Sequence, residues 1–308
     1  MLNPVHLRTL TMVLRTGSFA EAARRLGYTG SAVSQQISIL ERQVRTALFE
    51  RDAHSISATP AAEFIAARSH AALGALQTLE DDISLLMDGV VGRLRLGSFP
   101  TASERLLPDA LSSFKACHPD IDVQLDEAEP QELVPQLESR EIDLAVIYRY
   151  NLVPKEWPRT VQTHRVLRED LLVVRAGDGA EQSGEVDLSE LAGETWVSTR
   201  EGTSGAAVLR HLCRAQGFEP SVSYRSNNYS VIRGLVRAGL GIALVPALGH
   251  RPGPGLSATR MDGSPAFREI LVASSPTAPT PVVEAFIASF RRAAGRFAHD
   301  AVGVTVAP

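Results

Sequence analysis

In the first sixty residues the apolar positions recur three and four apart, in three short runs separated by glycine or a polar turn. Leu7, Leu10, Val13 and Leu14 form the first stripe. Asn3 is placed to cap it, Pro4 takes the first helical position where a missing N–H costs nothing, and Gly17 ends it. Ser18 and Glu21 read as a capping box for the second run: the Ser18 hydroxyl accepts from the Glu21 N–H while the Glu21 carboxylate reaches back to the cap. Phe19, Ala22, Ala23 and Leu26 make its apolar face, and Gly27 supplies the left-handed end. Thr29 or Ser31 then caps a third helix whose buried stripe is Val33, Ile37 and Leu40. Its opposite face, Gly30, Ser31, Ser34, Gln35 and Ser38, is small and polar. Two short helices joined by a tight turn, the second with such a face, read as a helix-turn-helix able to enter a DNA major groove. An ordinary helical hairpin has the same periodicity; the surrounding Arg24, Arg25, Arg42, Arg45 and Arg51 favour DNA. The next stretch, ALFERDAHSISAT (47–59), ends in an extended segment and predicts a short two-stranded wing. Arg51, His54 and Ser57 are placed there to meet the phosphate backbone or a minor groove, and His54 reads equally well as a solvated loop histidine.

From Thr59-Pro60 a helical pattern runs unbroken to about Met87, roughly 40 Å at the usual rise per residue. Ala62, Ser69, Leu76 and Ile83 lie seven apart, and so do Ile65, Ala72, Leu79 and Leu86. These are the a and d positions of a sustained heptad, which predicts a helix that pairs with another helix. The seam of a dimer then falls at Ile65, Ala72, Leu76, Leu79, Ile83 and Leu86, and the alternative is a long amphipathic helix packed on its own chain. Two-fold dimers are how helix-turn-helix proteins reach two half-sites. After Gly89 and Gly92 the period changes. Leu94 and Leu96 alternate as a strand does, a helix follows on Leu107, Ala110, Leu111 and Phe114, and then come a strand (121–125), a helix around Leu133 and Leu137, and a strand over 142–148. The rhythm resumes with strands at 171–174, 195–198, 241–246 and 269–274 and helices near 205–216, 229–238 and 282–297. Alternation of this kind predicts an α/β unit with a largely parallel sheet, and its extent predicts two subdomains with a cleft between them.

Composition narrows the picture. At 308 residues the chain suggests two or three domains, and 44% apolar with 21% charged residues describes a soluble globular protein. No apolar run approaches the roughly 20 residues of a membrane span, and MLNPVHLRTLTMVLRTG lacks the build of a secretory signal, so the expected compartment is the cytoplasm, with no membrane partner. Residues 1–58 carry seven arginines and four acids, a net of +3, within a chain of formal charge −4. A basic head on an acidic body suits a nucleic-acid module joined to one that does not touch nucleic acid. Cys117 and Cys213 lie far apart, and the eight histidines show no ligand spacing, so neither a metal nor another cofactor is expected. Cys213 reads as a small core residue rather than a redox switch. Gly239-Leu240-Gly241 lacks the rest of a dinucleotide fingerprint, and no Ser/His/Asp set sits in a nucleophile-elbow context, which argues against catalysis.

The order of these stretches resembles the LysR-type transcriptional regulators. The resemblance is carried by GSFAEAARRLGYTGSAVSQQISILERQVRTALFER (17–51), ATPAAE (58–63), GRLRLGSF (92–99), EIDLAVI (141–147) and LVRAGLGIALVP (235–246), spread over nearly the whole chain. It implies an α+β multidomain chain: an N-terminal winged helix-turn-helix (1–58), a dimerising linker helix (59–88), and a C-terminal α/β effector domain (89–308). That last domain is periplasmic-binding-protein-like, with two Rossmann-like subdomains, I at about 92–163 and 267–298 and II at about 164–266. The strands that cross between them are expected near 163–168 and 262–268. The implied partners are double-stranded promoter DNA, a small-molecule effector, a second copy of the chain as dimer or dimer of dimers (a homotetramer), and RNA polymerase.

Carried over position by position, the resemblance places DNA contacts at Ser18, Gly30, Ser31, Ser34, Gln35, Ser38, Arg51, His54 and Ser57. Gln35 has the amide that pairs bidentately with adenine. The chain departs from the family pattern at Gly30, where glutamine is usual, at Ser31, where proline is frequent, and at Ala62, where glycine is general. Effector contacts are implied at Ser98, Phe99, Thr101 and Ala102, at Tyr148, at Thr199, Glu201, Gly202, Thr203 and Ser204, and at Asn227 and Asn228. Hydroxyls and free N–H groups at a helix start such as Thr203-Ser204-Gly205 suit a carboxylate, with Phe99, Tyr148 and Tyr150 as an apolar wall. Several of these residues read equally as helix caps and turn residues, and Glu201 either argues against a highly charged anion or pairs with Arg149 or Arg200. A solute-binding protein would share the C-terminal fold but not the helix-turn-helix, and an α/β enzyme would need a catalytic set. The first 58 residues argue against both.

Overall fold

The computed structural model describes residues 2–51, 56–88, 92–177, 184–263, 266–275 and 280–307, and the elements below are those of the described residues. The chain divides into two compact units, 1–89 with 138–141, and 90–137 with 142–308.

The first unit holds α1 (Pro4–Thr16), α2 (Phe19–Leu26), α3 (Gly30–Val44), the antiparallel wing strands β1 (Phe49–Arg51) and β2 (Ile56–Ala58), and α4 (Pro60–Asp88). Its caps follow from side-chain chemistry. Asn3 accepts from Val5 N–H at 2.9 Å, Ser18 from Glu21 N–H at 3.3 Å and Thr29 from Ala32 N–H at 3.2 Å, while Gly17 and Gly27 end their helices at φ 64° and 69°. Half of the expected capping box is corrected, because the Glu21 carboxylate turns outward. It binds Arg24 at 2.7 and 2.9 Å and Arg25 at 2.7 Å, and these bonds, Arg24's first, hold its pKa down at about 2. Leu10, Val13, Ala22, Val33, Ile37, Leu40 and Leu48 close the core, with Ala62 and Ala66 of α4 packed on it. Glu41 ties α3 to the wing by accepting from Leu48 N–H at 2.9 Å and Phe49 N–H at 3.4 Å.

α4 is 29 residues long, and its face changes along its length. Ala62, Ala66 and Ser69 are buried and Ile65 is half-buried against the core. The start of the predicted dimer seam, Ile65 included, therefore packs on its own chain. Further along, Ala72, Leu76 and Leu79 are exposed. The Ile83 and Leu86 side chains lie outside the described residues. Among the described residues no helix is long and apolar enough to cross a membrane.

The second unit runs β3 (Gly92–Ser98), α5 (Pro100–Arg105), α6 (Leu107–Cys117), β4 (Ile121–Glu127), α7 (Pro130–Glu138), β5 (Leu144–Tyr150), β6 (Gln162–Gly177), β7 (Glu185–Val186), β8 (Thr195–Ser198), α8 (Ser204–Ala215), β9 (Ser221–Arg225), α9 (Tyr229–Arg237), β10 (Ala243–Pro246), β11 (Gly255–Met261), β12 (Phe267–Ser274), α10 (Pro281–Asp300) and β13 (Val304–Val306). Short 3₁₀ turns occupy 188–191 and 247–249. The main sheet has the order β4-β3-β5-β12-β6-β11-β7, with β10 and β13 also paired to β6.

Four expectations shift here. The sheet is mixed rather than largely parallel: β4-β3-β5 are parallel, but every strand that pairs with β6 or β12 does so antiparallel. β6 is one continuous 16-residue strand. Its residues 162–170 pair with β12, and 171–177 pair with β10 and β11, so the change of partners falls at Asp170-Leu171, a little beyond the 163–168 named for the crossing strand. The first half also continues beyond residue 298, because β13 pairs with Leu167, Arg168 and Glu169. The strand expected at 142–148 begins at Leu144, because Asp143 is taken by Arg95 of β3 through its backbone N–H and its guanidinium, both at 2.8 Å.

Two buried positions show how closely this unit is packed. A Cβ on Gly97 of β3 would lie 2.6 Å from Leu133 and 2.8 Å from Ile142, so glycine is what lets α7 sit against the sheet. His250 is buried, its Nδ1 has no partner among the described residues, and burial, then Arg233 and Arg105, push its pKa below the ordinary 6.5. The unfolded chain therefore takes up a proton near pH 6.5 that the folded chain resists, and stability present above that pH is lost below it. Thermal unfolding from about pH 7.5 to about pH 5 should show that fall, and His250→Asn should flatten it.

Candidate functional site

Two places carry chemistry, one in each unit. On α3, burial of Val33, Ile37 and Leu40 turns Gly30, Ser31 and Gln35 outward, with Ser34 and Ser38 half-exposed beside them. Gln36, on the inner side, is fixed by Thr9, whose hydroxyl donates to its Oε1 at 2.5 Å. Gln35 makes no side-chain hydrogen bond among the described residues, so its amide is presented outward. A Cβ on Gly30 meets open space. Ser31 shares a hydrogen bond with Thr29 at 3.0 Å, and Ser18 is occupied as the α2 cap. Ser57 is exposed on the wing opposite Glu50. The Arg51 side chain and His54 lie outside the described residues.

In the second unit a cavity of about 240 Å³ opens where the carboxyl ends of β3, β5 and β8 meet the starts of α8, α9 and β12. At its base is Arg268, 2% exposed, with its guanidinium 4.7 Å from the Tyr148 ring centre, 5.0 Å from Phe99 and 5.9 Å from Tyr150. Arg268 donates to Glu169 at 2.5 Å and to the Thr101 hydroxyl at 2.9 Å; the other Glu169 oxygen accepts from Leu248 N–H at 2.7 Å. Burial works against the Arg268 charge, but the Glu169 carboxylate and the surrounding tyrosines outweigh it and raise its pKa. Burial also raises Tyr148, Tyr150 and Tyr229, so all three phenols stay neutral. Phe99 and Tyr148 meet edge-on at 4.9 Å, as do Tyr148 and Tyr150 at 5.6 Å.

The opposite wall is the start of α8. Thr203 caps it by accepting from Ala206 N–H, and its hydroxyl is 2.8 Å from that of Thr199. The first-turn N–H groups of Ser204 and Gly205 have no intrahelical acceptor and carry the positive end of the helix dipole. A Cβ at Gly205 would sit 2.9 Å from the Thr199 hydroxyl, so glycine keeps this corner open. Glu129, Gln131, Lys155, Asn227 and Tyr229 also line it. Aromatic walls with a few convergent polar groups describe a small-molecule site.

The sequence matches the LysR substrate binding domain over residues 87–295 and the lysR-family bacterial regulatory helix-turn-helix over residues 4–63. The chain belongs to the LysR family of transcriptional regulators. It is 27% identical over 291 residues to the HTH-type transcriptional regulator GltR of Bacillus subtilis, covering 92% of this chain and 95% of that one. Its fold is that of a full-length OxyR variant from Pseudomonas aeruginosa, with a TM-score of 0.63, 20% identity and coverage of 94% and 95%. It is also that of full-length CbnR crystallised with its target DNA, with a TM-score of 0.58, 22% identity and coverage of 94% and 99%.

For this LysR-family chain, the cavity brings together Phe99, Thr101, Tyr148, Thr199, Gly202, Thr203, Ser204 and Asn227 of the residues the sequence pointed to. Four others lie off it. Ser98 and Ala102 are wholly buried beneath. Asn228 caps α9 by accepting from Ser230 N–H at 2.8 Å. Glu201 pairs with Arg210 at 2.8 Å and Arg225 at 2.6 Å, and not with Arg149 or Arg200. Arg149 is instead held by Glu269. Sequence reasoning missed Arg268, Tyr229, Glu129, Gln131 and Lys155. Cys213 is buried, and burial pushes its thiol up to about 12, which leaves little thiolate for redox chemistry.

Proposed function

We propose that this regulator reads promoter DNA with Gln35, Ser31, Ser34 and Ser38 on α3, steadied by Ser18 and by the wing residues Arg51, His54 and Ser57. It does so as a dimer or dimer of dimers joined through the exposed part of α4. A carboxylate-bearing effector enters the cavity at the start of α8 and shifts the balance between two arrangements of the effector domain, which alters promoter binding or bending and so transcription by RNA polymerase. A protein that acts on the chromosome works in the cytoplasm. The observation that carries this reading is the pairing, in one chain, of an outward polar recognition face with a cavity walled by aromatic rings and unpaired helix N–H groups.

Gln35→Ala tests the DNA half. Loss of a bidentate base contact costs about 1–3 kcal/mol of discrimination. Fluorescence anisotropy should show operator affinity falling about tenfold to a hundredfold while binding to unrelated duplex is unchanged. An equal loss on both would make Gln35 a backbone contact.

A further inference from the structure

We propose that the cavity selects a zwitterion, an α-amino acid whose ammonium group is held by Glu129 while its carboxylate lies against the start of α8. This rests on the cavity being the effector site and adds the chemistry of what it takes.

Three formally charged side chains line the space: Arg268, Lys155 and Glu129. Arg268 is already neutralised by Glu169 and has a further donor engaged by Thr101, so it adds little net charge. Lys155 is at the exposed rim, with its ammonium 5.3 Å from the Trp157 ring centre. Glu129 differs. It is half-buried, it forms no ion pair among the described residues, and its one side-chain bond is from the Tyr148 hydroxyl to Oε2 at 2.7 Å. Its carboxylate does not cap α7 either, since Glu132 and Leu133 N–H donate to its main-chain oxygen.

A carboxylate left with a spare oxygen beside a cavity repels a plain monocarboxylate or dicarboxylate and attracts a cation. The start of α8, with the first-turn N–H groups of Ser204 and Gly205, attracts an anion. Both preferences are met by one small molecule with a positive and a negative pole. The volume, about 240 Å³, is below the roughly 300–1,000 Å³ of drug-sized pockets and suits a ligand of amino-acid size.

The test uses the full-length protein and isothermal titration with the standard primary α-amino acids, each beside its 2-oxo and 2-hydroxy counterpart, which carry a carbonyl or hydroxyl oxygen in place of the ammonium group. The expected result is that at least one amino acid binds about tenfold or more tighter than both counterparts, and that Glu129→Gln removes that preference. Binding of the oxo or hydroxy acid as tight as the amino acid overturns the zwitterion and leaves the cavity as effector site. Unchanged amino-acid binding by Glu129→Gln does the same, with thermal unfolding of the unliganded variant confirming that it is folded. If no compound in any set binds, the zwitterion and the carboxylate-effector reading fall together.

Discussion

Arg268→Ala should cost the effector domain about 3–5 kcal/mol and abolish effector binding, because it leaves Glu169 buried without its partner. Glu169 is wholly buried, and burial raises its pKa even with the guanidinium beside it. With Arg268 gone, only the Leu248 N–H remains to it among the described residues, so the carboxyl must take up a proton or draw in water. The loss extends to the cavity. Thr101 loses its hydrogen bond, and Phe99, Tyr148 and Tyr150 lose the flat group they pack around. Urea unfolding should show the transition of the effector unit moved to much lower denaturant. The paired change Arg268→Met with Glu169→Leu should recover most of the stability but not ligand binding, because a buried ion pair contributes little beyond what apolar packing supplies. A double variant as unstable as the single one would show that the pair itself holds the fold.

Ile37→Ala should remove DNA binding of every kind while leaving ligand binding intact. Ile37 has no exposed surface and is central to the core beneath the recognition face. Truncating such a residue costs about 2–5 kcal/mol. A domain of about 60 residues buries only about 60% of its unfolded surface and has little stability to lose. The recognition face depends on that burial, since Val33, Ile37 and Leu40 are what turn Gln35 outward. Circular dichroism should register loss of the headpiece transition, and anisotropy should show specific and non-specific affinity falling together. That pattern separates it from Gln35→Ala, which touches only the operator.

How much was legible depended on whether local chemistry decided the outcome. The three headpiece helices were readable because cap and period agree at each, as at Thr29 and Val33-Ile37-Leu40, and because Gly17 and Gly27 end the first two. The capping box failed in part because Arg24 and Arg25 competed for the Glu21 carboxylate, and sequence spacing does not rank such competitors. The residue pattern showed β6 only at Leu171–Val174, because its first half, QTHRVLRED, has no apolar alternation; the strand near 163–168 was expected from the family resemblance alone. It is a strand because β12 and β13 pair with it, partners far along the chain. The α8 wall of the cavity was legible through Thr203-Ser204-Gly205. Arg268 was not: it is one of 31 basic residues, marked only by lying two residues before the apolar run ILVAS. Glu129 was hidden among the neighbouring acids of DEAE (126–129), and only folding separates it from them.

The measurement that bears most directly on the central claim is a footprint of the full-length protein on genomic fragments it selects from sheared source DNA, with and without the amino acid that binds most tightly. The account predicts that the selected fragments share a partly palindromic sequence, and that saturating ligand changes either the affinity or the length of the protected region. Recovery of no fragment above background, or a footprint identical with and without saturating ligand, would contradict it.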